Sequence, residues 1–485
     1  MNIELVVFCV YLVFMLGIGV FFFLRSRGAS EKDYFLGGRK MGPWVSALSA
    51  GASDMSAWVL MGLPASVYAF GVGKTWIAIG LALGYTLSWV FVAPRLRRYS
   101  IAAKDSITIP QFLTNRFLSG NRAMQVICAV IFLVAYTIYA ASSIKACGTL
   151  FHTVIGINAQ LAMYIAALII VGYTFLGGFS AVCWTDFFQG LLMLGALLIA
   201  PIFALILVQG GQGSATMGAL PDGYWTLFTG WKDVLSGLGW GLGYFGMPHI
   251  IIRFMAIRSD KDVKKSTRIG VTWTLLILGF SLGAAFAGRM LLGEVADSST
   301  VFIQMVRRIF PPLVSGILLS AILAASMSTA DSQLLASASA FTSDVYQPLL
   351  RKGKAKDREM LWVGRLVVLA ISVVALLIAA NPNSGTIMDL VENAWGVFGA
   401  AFGPVILLSL FWKRLNFPGA VAGIVAGAGV DILWLVFLGS TGLYEILPGF
   451  VCGLLAAVLV SLCTKAPDRN VVSIFERVAK NEGFD

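Results

Sequence analysis

Along the chain, apolar runs of about twenty residues alternate with short polar connections, the repeat a polypeptide needs to cross a bilayer again and again. Thirteen such spans are read, at approximately 3–24, 44–70, 75–93, 123–150, 159–178, 182–208, 234–256, 269–292, 313–342, 361–380, 387–412, 418–438 and 444–464. In hydrocarbon a helix satisfies every backbone polar group internally, so the pattern predicts an all-α integral membrane protein. The opening stretch "MNIELVVFCVYLVFMLGIGVFFFLRSR" has no basic region ahead of its apolar run, which predicts a retained first helix rather than a cleaved signal. No soluble domain fits between the spans; the longest polar connections are "RLRRYSIAAKDSITIPQFLTNRFLSGNR" and residues 209–233.

Composition agrees with the pattern. Of the residues, 58% are hydrophobic and 12% charged, against about half and a quarter in soluble globules. The net charge of +11 is a matter of topology. With the N-terminus outside, the inner segments hold 29 of the 35 lysines and arginines, the excess that marks cytoplasmic loops. The C-terminal tail is then cytoplasmic, the protein is multi-pass in the cell (inner or plasma) membrane, and a nucleic-acid partner is not required. The six cysteines lie in apolar runs or at their ends without a CxxC pair, so no disulfide framework or zinc site is indicated. His152 and His249 give no metal-ligand spacing, and no activated nucleophile accompanies them, so an enzyme is not indicated.

Two spans carry helix-breaking residues. The second runs through Gly51 to Pro64, and the seventh, "SGLGWGLGYFGMPHI", sets five glycines before Pro248. Non-helical backbone at membrane depth survives only where protein buries it or a cavity meets it. Paired interruptions in two halves of a chain point to a transporter binding site. The "GLGYFG" inside the seventh span matches GxGxxG only formally, because no strand precedes it.

The stretch "SALSAGASDMSAW" places Asp54 among serines inside an apolar run. A charge there costs about 2.5–3.5 kcal/mol on insertion scales, so it faces a cavity or a partner. A structural aspartate bonded to its serines is the plain alternative. Freed carbonyls and hydroxyls around a break favour a small hard cation instead. A second oxygen-rich stretch, "LSAILAASMSTADSQ" in the ninth span, holds Ser328 and Thr329, with Ala325 one turn before Thr329. Each hydroxyl there has the alternative of bonding its own helix; with the broken second span it forms the other wall of an ion site.

These blocks, together with "TFLGGFSAVCWTD", "GAAFGPV" and "GLYEILPGF", resemble the sodium/solute symporter family over nearly the whole chain, and within it the bacterial branch that carries L-proline. The resemblance implies a LeuT-like core of two inverted five-helix repeats, residues 44–208 and 234–412. The first helix and its loop (1–43), two peripheral spans (413–464) and a cytoplasmic tail (465–485) flank that core. It implies a co-transported sodium ion, with no cofactor, held by Ala52, Met55, Ala325, Ser328 and Thr329. It further implies that Asp54, Asp186 and Arg39 act in cation coupling, and that Trp58, Tyr139, Trp240, Tyr244 and Pro248 form the solute pocket. For each tryptophan, packing in the core or against lipid is the alternative.

Three features depart from the branch. Lys145 stands in the fourth span, six residues beyond Tyr139 and roughly 240° around an ideal helix, which predicts that it points away from the pocket. Asp331 adds a carboxylate near the proposed ion site, and the two residues are candidates to pair. Ala57 and Met247 replace residues of the branch pattern, so another small carboxylate, an amino acid, pantothenate or a sugar acid stays open as solute. A transporter-like sensor is disfavoured because only some twenty residues follow the last span, and a channel because no filter-like loop repeats.

Overall fold

The computed structural model describes residues 2–25, 31–174, 178–214 and 217–482. Among these, ten helices are long and apolar enough to cross a membrane. They coincide with ten of the predicted spans. The other three predicted spans are shorter pieces: Ala159–Thr174 is one helix of 16 residues, and the second and seventh spans are interrupted. The end of the predicted fifth span at 175–177, Arg27 in the first loop and the last three residues lie outside the described residues.

Several helices outrun their hydropathy. The third continues through a π turn at Ser88–Val92 to Ala102, the fourth reaches Ile155, and the eighth starts at Asp260 rather than 269. Hydropathy marks only the part of a helix that suits lipid. Backbone hydrogen bonding carries the coil on into polar surroundings, and Ser259 caps the eighth helix by accepting from the N–H of Asp262. Two short helices, Val301–Ile309 and Arg469–Lys480, escape the span pattern because their apolar residues form one face only.

The connections rich in Lys and Arg gather at one end of the bundle, where they lock together. Met41 and Ile257 form a backbone bridge. Arg97 donates to the Ile257 carbonyl (2.8 Å), the Arg258 carbonyl (2.7 Å) and Asp260 (2.6 Å). At the opposite end lies a cavity of about 1070 Å3, lined by Lys74, Lys145, Trp240, Asp389, Glu392 and Glu445 among others.

The third and seventh spans meet backbone to backbone. A Cβ on Gly84 would lie 2.1 Å from the Gly241 carbonyl oxygen, and one on Gly80 would lie 2.3 Å from that of Gly237. Both pairs repeat at four-residue spacing, the small-xxx-small seam through which membrane helices approach closely. This seam fixes where the interrupted seventh span sits.

Candidate ion and solute site

The second span breaks directly after Asp54. Its first helix, Pro43–Asp54, ends at Met55 (φ −76, ψ 72), Ser56 is extended, and the coil resumes at Gly62–Phe70 after a 3-10 turn at Ala57–Val59. In a continuous helix the carbonyls of 52 to 55 would accept from the N–H groups of 56 to 59. Here the Ser56 N–H turns back to Asp54 (2.8 Å), the Trp58 N–H goes to the Ser56 hydroxyl (3.4 Å), and the Val59 N–H goes to Ser56 (3.1 Å). The carbonyls of 52 to 55 thereby lose their helical partners, and buried carbonyls must find others.

Three of the four meet different partners. The Ala52 carbonyl accepts from Ser328 Oγ at 2.8 Å, and the same hydroxyl lies 3.1 Å from the Ala325 carbonyl. The Ser53 carbonyl meets His249 Nε2 at 3.1 Å. The Asp54 carbonyl accepts from Trp58 Nε1 (3.1 Å) and the Tyr139 hydroxyl (3.4 Å). The Met55 carbonyl accepts no hydrogen bond among those described. Thr329, beside Ser328, is fully buried and its hydroxyl has no partner among the described residues. The oxygen atoms of Ala52, Ala325 and Ser328 therefore converge between the second and ninth spans; Thr329 directly follows Ser328, and Met55 lies three residues after Ala52.

The seventh span breaks next to this one. Trp231–Gly239 is helical, Trp240–Phe245 is a 3-10 turn, Met247 is extended, and Pro248 opens the helix to Ala256. Proline suits that first turn because its missing N–H would have no intrahelical partner there. Tyr244 donates from its hydroxyl to Asp54 Oδ2 at 2.5 Å, while Asp54 Oδ1 has no partner among the described residues. Trp240, Tyr244, Trp58, Tyr139 and Pro248 are all buried. Of these five, only Trp240 lines the large cavity.

The other two coupling candidates have different surroundings. Asp186 is buried in the core, accepting from Ser49 Oγ (2.7 Å) and ion-paired with Arg253 Nη2 (3.0 Å), which also donates to Ser332 Oγ (2.5 Å). Arg39 sits in the lock at the basic end, donating to Asp105 (2.9 Å), Ser100 (2.9 Å), the Met255 carbonyl (2.6 Å) and the Ser106 carbonyl (2.8 Å). It links the loop after the first span to the end of the seventh.

Lys145 bears on two expectations. Its ammonium donates to the Gly385 carbonyl and Ser384 in the loop before the eleventh span, and it lines the large cavity with Trp240. Lys145 thus turns from Tyr139 but stays on the path from that end. Its long flexible stem carries the charge to water. Asp331 does not pair with it. That carboxyl is buried beside Ser332, within electrostatic reach of Asp186 and Arg253.

Sequence reasoning missed several members of the site. Trp395 of the eleventh span donates from Nε1 to the Trp240 carbonyl (2.8 Å) and meets the Tyr244 ring edge-on at 5.0 Å. Gly243 permits this, since a Cβ there would lie 2.0 Å from Trp395 Nε1. Arg253, Tyr136 and His249 were missed as well. Tyr136 stands one helical turn before Tyr139, a spacing that places both on one face, and His249 follows the proline of the break.

Comparison with known proteins accords with this geometry. Residues 34–427 match the sodium:solute symporter family. The chain is 43% identical to the osmoregulated proline transporter OpuE of Bacillus subtilis, covering 98% of each chain. It is 43% identical to the sodium/proline symporter of Escherichia coli, covering 96% of this chain and 93% of the other. Among solved structures, a Na+-coupled sialic acid symporter in an outward-open state superposes with a TM-score of 0.78 at 20% identity, covering 96% of this chain and 99% of that one. A nucleobase-cation-symport-1 family transporter superposes at 0.52 with 17% identity, over 93% and 95%. The protein is multi-pass in the membrane and has the LeuT-like transporter fold, and its chain belongs to the sodium:solute symporter family.

Proposed function

We propose that this chain is a sodium-coupled symporter that imports L-proline by alternating access. The observation that carries the reading is the shared break: the Ala52 carbonyl meets Ser328, whose hydroxyl also reaches the Ala325 carbonyl, while two residues on, Asp54 binds Tyr244 through its carboxylate and Trp58 through its carbonyl. Sodium is placed between the carbonyls of Ala52, Met55 and Ala325 and the hydroxyls of Ser328 and Thr329. The solute is placed among Trp58, Tyr139, Trp240, Tyr244 and Pro248. Aromatic faces suit the pyrrolidine ring, and the N-terminus of the helix starting at Pro248 suits a carboxylate.

The thirteen-span arrangement, with residues 44–208 and 234–412 as inverted repeats, puts the basic end in the cytoplasm and the large cavity outside. Sodium binding would order the second span against the ninth and complete the pocket. Arg39 and Arg97 hold the cytoplasmic end closed in this state, and rocking one bundle against the other would release them. One charge moved through ~100 mV supplies about 2.3 kcal/mol, and a tenfold sodium gradient adds roughly 1.4. Together they support accumulation of about several hundredfold, so one ion per solute is sufficient.

The test is uptake of labelled proline into proteoliposomes under an imposed sodium gradient, with potassium as control and a panel of small carboxylates as competitors. Sodium-driven, proline-selective uptake is expected. Uptake indifferent to sodium would overturn the coupling, and stronger competition by another carboxylate would overturn the solute.

A further inference from the structure

Of the four carbonyls released by the break at Asp54, the Ser53 carbonyl alone is met by a histidine. His249 is fully buried in the first turn after the seventh-span break. Its backbone N–H donates to the Tyr136 hydroxyl at 2.9 Å, Nδ1 lies 3.1 Å from the same hydroxyl, and Nε2 lies 3.1 Å from the Ser53 carbonyl. The hydrogen-bond directions follow. A carbonyl only accepts, so Nε2 carries the proton. The Tyr136 hydroxyl accepts the backbone N–H and donates its own proton to Nδ1. The tautomer is thus fixed by the partner of the other ring nitrogen.

From this ring of contacts we infer that His249 is the positioning residue that couples the sodium site to the solute pocket. It ties the two interrupted helices together through the fourth span. By drawing the Ser53 carbonyl toward the seventh span, it fixes the turn of the backbone that leaves the preceding Ala52 carbonyl at Ser328 of the ninth. Movement of the seventh-span break around a bound solute is then transmitted through one imidazole to the ion's carbonyl ligands. This inference rests on the sodium site proposed above.

Three variants separate coupling from mere packing. His249→Leu removes both ring contacts, His249→Asn keeps a group near the Tyr136 hydroxyl but none at Ser53, and His249→Gln places an amide donor near the Nε2 position. In proteoliposomes the Leu and Asn variants are expected to raise the sodium concentration for half-maximal uptake about tenfold, the effect of losing one buried hydrogen bond. Their KM for proline at saturating sodium should change less than twofold, and the Gln variant should return the sodium requirement to within about threefold of wild type. Because the chain has two histidines, nitrogen-15 labelling of histidine gives two ring spectra, with His249 protonated at Nε2 and shifting on sodium addition without proline. An unchanged sodium requirement in the Leu and Asn variants, equal rises in sodium requirement and proline KM, or a proton on Nδ1 would overturn the inference. Ser328→Ala is the parallel control: if it leaves sodium dependence unchanged, the sodium site itself is wrong, whatever the His249 variants do.

Discussion

The Tyr244 hydroxyl rests 2.5 Å from Asp54 Oδ2, so one hydrogen bond joins the break of the seventh span to the break of the second. Tyr244 also packs edge-on against Tyr85 at 5.1 Å and Trp395 at 5.0 Å, which holds its hydroxyl in place. An aspartate in the middle of a membrane protein thereby gains a donor from the helix that borders the proposed solute pocket.

Replacing Tyr244 by Phe keeps the ring packing and removes that donor. Hydrogen bonds to charged groups are worth about 1.5–3 kcal/mol, so sodium-driven uptake per unit of protein should fall roughly ten- to hundredfold. Kinetics in proteoliposomes would measure this, and a variant within twofold of wild type would contradict it.

Asp54→Ala should raise the sodium concentration needed for uptake far more than it lowers the amount of protein in the membrane. Uptake at graded sodium, normalised to membrane protein by immunoblot, decides this. A normal sodium dependence would remove Asp54 from the coupling machinery.

Thr329→Val is close to isosteric and breaks no hydrogen bond of the described structure, since the Thr329 hydroxyl has no partner there. In sodium-free buffer the variant's melting temperature should equal or exceed that of wild type. Wild type should gain about 2.7 kcal/mol at a sodium concentration a hundred times Kd, and the variant should gain much less. Thermal melts of detergent-extracted protein with sodium and with potassium provide the comparison.

Gly84→Ala inserts a methyl 2.1 Å from the Gly241 carbonyl oxygen. Overpacking costs about 1–3 kcal/mol even where side chains yield, and here backbone must move. Folded yield should drop sharply. Gly279→Ala, with nothing within 4 Å of the added methyl, should match or exceed wild type, as alanine favours a helix interior by about 1 kcal/mol. Size-exclusion yields of the two variants measure the difference.

The apolar runs disclosed the helices well because a helix at membrane depth is apolar whether it faces lipid or its neighbours, as in the largely buried ninth and eleventh spans, and glycine with proline marked the neighbourhood of both interruptions. Helix ends were less legible: the coil at Asp260 or past Ala93 is held by capping and hydrogen bonds, which hydropathy does not sense. Among site residues, Asp54 stood out by its charge, and Ser328 stood out by lying in a polar stretch. Trp395 and His249 did not, because their roles exist only once the eleventh and seventh spans are folded against the second. Lys145 was only half legible, for another reason. Helical angle fixes where a Cβ points, whereas a four-carbon stem can carry its ammonium elsewhere, here to Gly385.

The glycine contact of the third and seventh spans has a mechanical consequence. Residues without side chains possess no rotamers to freeze, so Gly80 and Gly84 surrender no side-chain entropy in any relative placement of these two helices. The two backbones can therefore lie closer than any pair with side chains between them. The contact costs the fold only backbone freedom, whereas Tyr85 and Tyr244, which meet between the same two spans, must each give up side-chain rotamers to do so.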